Sequence, residues 1–290
     1  LALFGLILRP VSFKYRSKKT EKRWRDNWDI IFSLSGFLPI FFFGLIVGNI
    51  IQGVPFYLDD NLRSYYTGSF LGLFNPFALL SALLTIFLFI AHGCNYLTMR
   101  LGHTVLRKRA VTFGRVFYLV AIVLFLLSGL WIYFSKIGYV ITSVIPANQP
   151  SNPLNKTVEL ASGYGWFNNF IKYPLLTIVP AFGFLGMIVG MLFIGSKRSV
   201  IVFIISSLAI FGVIATFGLG IFPFLLPSST DMASSLTVWD ASSSHLTLFL
   251  MLAVVIIFLP IILFYTSWVY YIVRGIITDK TLEDPDNIAY

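Results

Sequence analysis

The sequence predicts an all-α membrane protein, a polytopic bundle of helices, and three observations support this fold class. First, 57% of the 290 residues are hydrophobic and only 11% are charged, whereas a soluble domain carries about 25% charged residues. Second, the apolar residues form runs of about 20, the length that crosses a hydrocarbon core about 30 Å thick. Third, the Lys and Arg residues cluster beside these runs rather than within them.

Seven apolar runs are predicted, all within a single transmembrane domain that covers residues 1–290. The first is partial, because the chain starts with Leu inside an apolar run, and we expect the rest of that span to precede Leu1. The last is long enough to tilt or to emerge from the membrane as a helix. The approximate bounds are 1–8, 30–51, 76–97, 115–137, 174–195, 200–222 and 246–273.

The stretch RPVSFKYRSKKTEKRWRDNWD (9–29) is predicted to be a loop that sets the orientation of the whole chain. Short loops rich in Lys and Arg stay on the cytoplasmic side of a membrane. With this loop inside, the segments 9–29, 98–115, 196–199 and 274–290 are also inside and hold 8, 5, 2 and 2 Lys/Arg residues, 17 in total. The outer segments hold only four, Arg63, Lys136, Lys156 and Lys172. This alternation predicts a cytoplasmic C-terminus.

Ionisable side chains are almost absent from the apolar runs, and His92 is the main exception. Pumps and proton relays usually place Asp, Glu or His in mid-membrane, so charged chemistry is expected at the membrane faces or in a partner. Neither His92 nor His103 nor His245 stands at metal-site spacing from another ligand, and we expect no metal on this chain. Cys94 is the single cysteine, which excludes an internal disulfide framework.

The net charge of +9 does not indicate nucleic-acid binding. Basic runs can form nucleic-acid patches, but here they border apolar spans, as topology determinants do. Membrane lipid is therefore the expected surrounding, and nucleic acid is not an expected partner.

Four stretches together resemble subunit II of the cytochrome bd-type quinol oxidases, the terminal oxidases of bacterial respiration. The ending YTSWVYYIVRGIIT (265–278) and the final Tyr290 fit the same pattern, so the resemblance spans the chain. The four stretches are RPVSFKYRSK with RWRDNWD (9–29), GNIIQGVPF with YYTGSFLGLFNPF (48–77), SNPLNK (151–156) and FPFLLPSSTDMASSLTVWDASSSHLTL (222–248).

The resemblance implies a nine-helix subunit of the bacterial inner membrane, working beside a subunit I that carries the quinol site and three haems of b and d type, or of b type alone. The assembled enzyme would oxidise quinol and reduce oxygen to water with protons from the cytoplasm. Subunit II would bind no haem itself. It would give structural support, part of the proton route and, in some members, an oxygen entry and a bound quinone. A small single-span subunit is left open as a further partner.

The same resemblance places Arg9, Lys14, Lys18, Asp29 and Tyr290 at the cytoplasmic mouth of the proton route. We expect Arg9 to pair with Asp29. Lys14 stands where the family pattern often has an acidic residue, so it cannot be a carboxylate relay. The alternative interpretation is that the basic residues are topology anchors and that Asp29 begins a helix, where the helix dipole stabilises a carboxylate by about 0.3–1 kcal/mol.

At the outer face, Asn49, Gln52, Trp239 and Asp240 are predicted to cap helices or to contact another subunit. Asp240 is expected to be the N-cap of the last helix. Gly48 and Gly53 are expected to allow either the close approach of two helices or a sharp exit of the chain from the span.

Two other classes remain open from the sequence. A polytopic secondary transporter would also have many spans, but it should show an inverted repeat and polar midplane residues on broken helices, and neither is evident. A non-catalytic scaffold subunit of an unrelated membrane complex would have the same composition. Co-purification with a haem-bearing partner separates both from an oxidase subunit.

Overall fold

The computed structural model describes residues 1–102, 105–143 and 152–272, together with Gly275. The predicted all-α architecture is confirmed, with three small two-stranded hairpins added at one end of the bundle. The helices are α1 (Ala2–Arg16), α2 (Lys22–Gln52), α3 (Pro76–Arg100), α4 (Val105–Ser135), α5 (Asn168–Lys172), α6 (Ile178–Phe193), α7 (Ser199–Ile221) and α8 (His245–Ile272). The strands are β1 (Phe56–Leu58), β2 (Ser64–Tyr66), β3 (Tyr139–Ile141), β4 (Val158–Leu160), β5 (Phe224–Leu226) and β6 (Leu236–Thr237).

Six segments of the described chain are long and apolar enough to cross a membrane: α2, α3, α4, the segment Pro174–Phe193 that contains α6, α7 and α8. The helix α1 has 15 residues and carries the partial first run. The helix α8 has no fully buried residue, and most of its apolar surface is exposed.

The segment 9–29, predicted to be a loop, is mostly helical. The helix α1 continues to Arg16 and α2 begins at Lys22, so the connection is only 17–21. Lys, Arg and Glu have high helix propensities. A helix can therefore continue beyond the apolar layer with its backbone hydrogen bonds intact, while its charged side chains reach water. For the same reason α4 begins at Val105, ten residues before its apolar run.

The main core lies where α3, α4, α6 and α7 meet. Two of these helices come very close, because a Cβ built on Gly212 of α7 would lie 2.7 Å from Gly183 Cα of α6. Small residues at a helix interface permit such close backbone approach. The cluster consists of Leu84, Leu88, Ala91, Tyr118, Ala121, Ile122, Met187 and Ala209.

The helices α2 and α3 are in close backbone contact along their outer halves. A Cβ built on Gly44 would lie 2.6 Å from Ala82 Cα, and one built on Gly48 would lie 2.5 Å from Ala78 Cα. The close approach predicted at Gly48 is therefore confirmed, and it depends on the absence of a side chain.

The predicted outer loops form one layer, which we call the outer cap (residues 53–75, 136–143, 152–177 and 222–244). It contains the hairpins β1–β2, β3–β4 and β5–β6. Trp166 anchors the cap to the bundle, since its Nε1 donates to the Ile51 carbonyl at 2.8 Å and its ring contacts those of Tyr139 and Phe224. Tyr139 donates to the Gln52 carbonyl at 3.1 Å, and burial raises the pKa of its hydroxyl, which keeps the donor protonated.

Candidate functional site

The predicted proton-side residues lie on the helical hairpin α1–α2. The two helices are antiparallel, and residues that face each other have numbers adding to about 45. Phe13 and Phe32 follow this register, with ring centroids 4.6 Å apart. The tight turn at 17–21 sets the register, because a five-residue connection leaves little freedom to slide one helix along the other.

Asp29 forms an ion pair with Arg16, which the sequence analysis did not select. Arg16 Nε lies 2.6 Å from Asp29 Oδ1 and Nη2 lies 3.2 Å from Oδ2, a bidentate arrangement of the kind Arg and carboxylates favour. The side chains are 34% and 49% exposed, so the pair is open to water. The hydrogen bonds that Arg16 donates to the Asp29 carboxylate, together with the Asp29 charge, raise the pKa of the Arg16 guanidinium.

The expected pair between Arg9 and Asp29 is wrong. Arg9 lies seven residues before Arg16 on α1, about 10 Å along the helix. The hairpin register places it beside Gly36, and its guanidinium carbon is 6.0 Å from the centre of the Phe32 ring. Asp29 also does not begin a helix, since α2 starts at Lys22. The helix-dipole interpretation is therefore wrong as well.

The remaining predicted mouth residues do not converge with this pair. Lys14 and Lys18 are exposed at the end of α1 and in the turn, and Lys18 Nζ lies 5.5 Å from the Tyr15 ring centre. Tyr290 lies outside the described residues, as does His103. The structure thus brings together one pair, Arg16 with Asp29, and leaves the other described mouth residues apart.

Aromatic side chains surround the hairpin turn. Tyr15 stacks on Trp28 at 5.3 Å, and Trp24 Nε1 donates to the Tyr15 carbonyl at 2.8 Å. Lys19 Nζ lies 4.7 Å from the Trp24 ring centre. Trp and Tyr are enriched at membrane–water interfaces, which supports placing this turn at the level of the lipid headgroups.

Asn49 and Gln52 serve contacts within the chain. Asn49 Nδ2 donates to the Leu45 and Leu73 carbonyls, both at 2.8 Å, and its Oδ1 accepts from Asn75 Nδ2 at 3.0 Å. Asn75 in turn caps α3, because its Oδ1 accepts from the Ala78 N–H at 2.8 Å. Asn49 therefore joins the end of α2 to the start of α3. Gln52 contributes the carbonyl that accepts from Tyr139.

Asp240 was predicted to cap the last helix, and this is wrong because α8 begins five residues later, at His245. Ser244 takes that place, with its Oγ 3.4 Å from the Thr247 N–H. Trp239 is 54% exposed and packs edge-on against Phe222 at 5.9 Å. Its expected contact with another subunit stays a prediction.

Asp240 instead forms a buried ion pair that the sequence analysis missed. Its Oδ2 lies 2.7 Å from Lys156 Nζ, with side chains 5% and 2% exposed. The Oδ1 accepts from the Thr237 N–H at 2.8 Å, and Lys156 also donates to the Pro153 carbonyl at 2.7 Å. Oδ2 has no other hydrogen-bond partner within the described residues. Lys156 was counted among the outer topology charges, yet it is an internal residue of the outer cap.

The bundle interior holds two further polar contacts. His92 Nδ1 lies 2.7 Å from Ser206 Oγ, and its ring stacks on Phe203 at 4.7 Å. Asn95 Nδ2 donates to the fully buried Tyr118 hydroxyl at 2.6 Å. Both contacts join neighbouring helices. The sequence already marks His92 as the ionisable exception in the apolar runs, whereas its partner Ser206 and the Asn95–Tyr118 pair are uncharged and are not detected by a search for charged residues.

The described residues show no cluster of side chains that indicates a metal site. One nitrogen and one face of the His92 ring are already occupied by Ser206 and Phe203. No group of three or more His, Cys, Asp or Glu side chains that could hold a metal ion occurs among residues 1–102, 105–143 and 152–272.

Comparisons with known proteins agree on one family. The family model described as cytochrome bd terminal oxidase subunit II matches residues 1–273. Cytochrome bd-I ubiquinol oxidase subunit 2 of Escherichia coli (strain K12) is 43% identical over 291 residues, covering 100% of this chain and 76% of that protein. Probable cytochrome oxidase subunit 2 of Haemophilus influenzae is 42% identical over 270 residues, covering 93% of this chain and 71% of that protein.

A solved structure supports the fold independently. The bd oxidase from Geobacillus thermodenitrificans superposes with a TM-score of 0.63 at 15% identity, covering 94% of this chain and 72% of the matched chain. At that identity the likeness concerns the fold alone, whereas the family model and the two relatives extend over nearly the whole sequence. The chain therefore belongs to the cytochrome bd terminal oxidase subunit II family.

Proposed function

We propose that this chain is the haem-free subunit II of a bacterial terminal quinol oxidase, a quinol:oxygen oxidoreductase. The assembled complex would oxidise quinol and reduce oxygen to water with protons taken from the cytoplasm. One observation carries the proposal, the 43% identity that extends over the whole chain to a ubiquinol oxidase subunit. We assign the b-type and d-type haems, or b-type haems alone, to a partner subunit I, in line with the lack of a group of three or more metal-binding side chains among the described residues.

The proposed role of this chain is to support subunit I and to shape the cytoplasmic side of the proton route. The spans carry almost no ionisable groups, and the Arg16–Asp29 pair lies at the water-exposed end of the α1–α2 hairpin. The 17 Lys/Arg residues of the predicted inner segments favour a multi-pass inner-membrane protein with its C-terminus in the cytoplasm. A bound quinone and a small single-span subunit are further proposed components.

Affinity purification of the tagged chain from membranes tests this function. We expect a haem-bearing subunit to co-purify, with visible haem absorption and quinol-driven oxygen consumption. The same chain expressed without its partner should show no haem absorption. Stoichiometric haem on the isolated chain, or a purified full complex without haem, would contradict the proposal.

Reversing the charges of the Arg16–Asp29 pair tests its role at the proton entry. Arg16→Asp and Asp29→Arg should each lower quinol-driven proton uptake, and the double swap should restore most of it, because the pair is bidentate and both partners are retained. We expect stability to change little, since the pair is exposed and screened by water. Proton uptake per haem in reconstituted vesicles is the measurement.

The matched control is Arg23→Asp, an exposed charge reversal on the first turn of α2. It should leave proton uptake unchanged. If the double swap remains as slow as the single variants while its haem content is normal, Arg16 and Asp29 do not act as a pair in proton uptake.

A further inference from the structure

An open apolar groove of about 640 Å³ lies between the inner halves of α2 and α3. Its sides are large aliphatic and aromatic residues that remain well exposed, with Ile30 at 59%, Leu34 at 48% and Phe37 at 44%. Asp29 and Ser33 lie at its inner end. The remaining lining comes from Gly36 and Ile40 on α2 and from Ile86 and Ile90 on α3.

The groove lies beyond the region where the backbones of α2 and α3 come closest. Near the outer face, Gly44 and Gly48 bring α2 against the backbone of α3. Towards the inner face the α2 lining is mostly bulky, although Gly36 is also part of it, and Leu34 of α2 and Ile90 of α3 both line the open space. The groove is therefore a consequence of how α2 and α3 pack against each other.

The length of the groove matches one leaflet of a bilayer. From Asp29 to Ile40 the helix rises about 16 Å, which is about half of a hydrocarbon core about 30 Å thick. A lipid acyl chain from the inner leaflet would occupy this depth.

The charge at the groove's inner end identifies the class of lipid. Between residues 16 and 29 the chain has six Lys/Arg and three Asp/Glu. Arg25 lies one helical turn before Asp29 and Lys22 two turns before it, on the same side of α2. The Asp29 carboxylate is paired with Arg16, and Arg100 ends α3. The surroundings of the groove mouth are therefore net positive.

We propose that this groove binds one anionic phospholipid, with an acyl chain along α2 and α3 and the phosphodiester headgroup at Lys22 and Arg25. Basic clusters immediately cytoplasmic of a membrane helix attract anionic headgroups. The apolar groove adds a defined binding site for the acyl chain. This distinguishes a specifically bound lipid from lipids that are only attracted to the basic surface. The groove ends beside Asp29 of the proton-entry pair, but the proposed headgroup residues are Lys22 and Arg25, and lipid binding goes beyond the proposed function.

Titration of the delipidated oxidase complex with dioleoyl phosphatidylglycerol and with dioleoyl phosphatidylcholine, followed by native mass spectrometry, tests the site. Lys22→Gln combined with Arg25→Gln should weaken phosphatidylglycerol binding about 10- to 30-fold, about five-fold per charge, and leave phosphatidylcholine binding unchanged. Ile90→Trp should fill the groove and weaken the binding of both lipids.

Matched controls exist for both changes. Lys197→Gln with Arg198→Gln removes two exposed charges from the turn before α7, and Leu83→Trp enlarges an exposed residue of α3 two turns from Ile90 and outside the groove. Both should bind lipid like the unmodified complex. Haem content of every variant verifies assembly.

Three outcomes would overturn the proposal. One is equal lipid binding by the groove variants and their controls. Another is loss of the haem-bearing subunit in Ile90→Trp, which would show that a polypeptide covers the groove. The third is loss of a neutral quinone from Ile90→Trp with phosphatidylglycerol binding unaffected. None of the three would contradict the oxidase function itself.

Discussion

Replacing Lys156 by Met should destabilise the outer cap by about 3–5 kcal/mol, because it leaves the Asp240 carboxylate buried without its counter-charge. The two side chains are only 2% and 5% exposed, and the Nζ–Oδ2 distance is 2.7 Å. The pair also joins two separate connections of the chain, since Lys156 binds the Pro153 carbonyl and Asp240 binds the Thr237 N–H. Thermal unfolding of the purified complex is the measurement.

The matched control is Lys172→Met, which removes an exposed lysine from the same outer cap. It should unfold at nearly the same temperature as the unmodified complex. Replacing both partners, Lys156→Met with Asp240→Leu, should recover much of the lost stability, because no buried charge then remains. Equal melting of Lys156→Met and Lys172→Met would refute the structural role of the ion pair.

Gly48→Leu is expected to separate α2 from α3 and to destabilise the chain by about 3 kcal/mol, the upper part of the usual range for overpacking. A Cβ at this position would lie 2.5 Å from Ala78 Cα and 2.9 Å from Ser81 Oγ. The first of these atoms is backbone, which cannot rotate away as a flexible side chain would. Thermal unfolding and the yield of complex per membrane protein report the effect.

Gly129→Leu on α4 is the control for the change in helix propensity. A Cβ at Gly129 has nothing within 4 Å, and Leu favours a helix over Gly by about 0.8–1 kcal/mol. This variant should be neutral or slightly stabilised. If both leucine variants behave alike, the close approach of α2 and α3 does not depend on Gly48.

The proton-side pair shows where sequence reasoning reached the right region and the wrong partner. Asp29 and a nearby arginine were expected to meet, and they do, but the arginine is Arg16. Arg9 was chosen because the resemblance places it at the cytoplasmic mouth, and because Arg9 and Asp29 stand at the two ends of the predicted loop 9–29. Once α1 and α2 are helices joined by a five-residue turn, the partner of Asp29 follows from the hairpin register.

The outer cap shows a different limit. Lys156 and Asp240 are 84 residues apart in the chain, and each has an ordinary local explanation, one as a topology charge and the other as a helix cap. Their pairing depends on β3–β4 and β5–β6 packing over the same cluster that contains Trp166 and Tyr139. Local patterns carry no information about which loops share a cap.

Composition and the length of the apolar runs are enough to establish that this is a bundle of membrane helices and to predict which loops face the cytoplasm. Both properties follow because charged side chains and unpaired backbone groups are unfavourable in hydrocarbon. This constraint applies to each segment separately. The choice of ion-pair partners, the burial of Lys156 and the groove between α2 and α3 depend on how segments pack against each other. Those features depend on contacts between segments that are far apart in the sequence, and the residue pattern within one segment does not specify them.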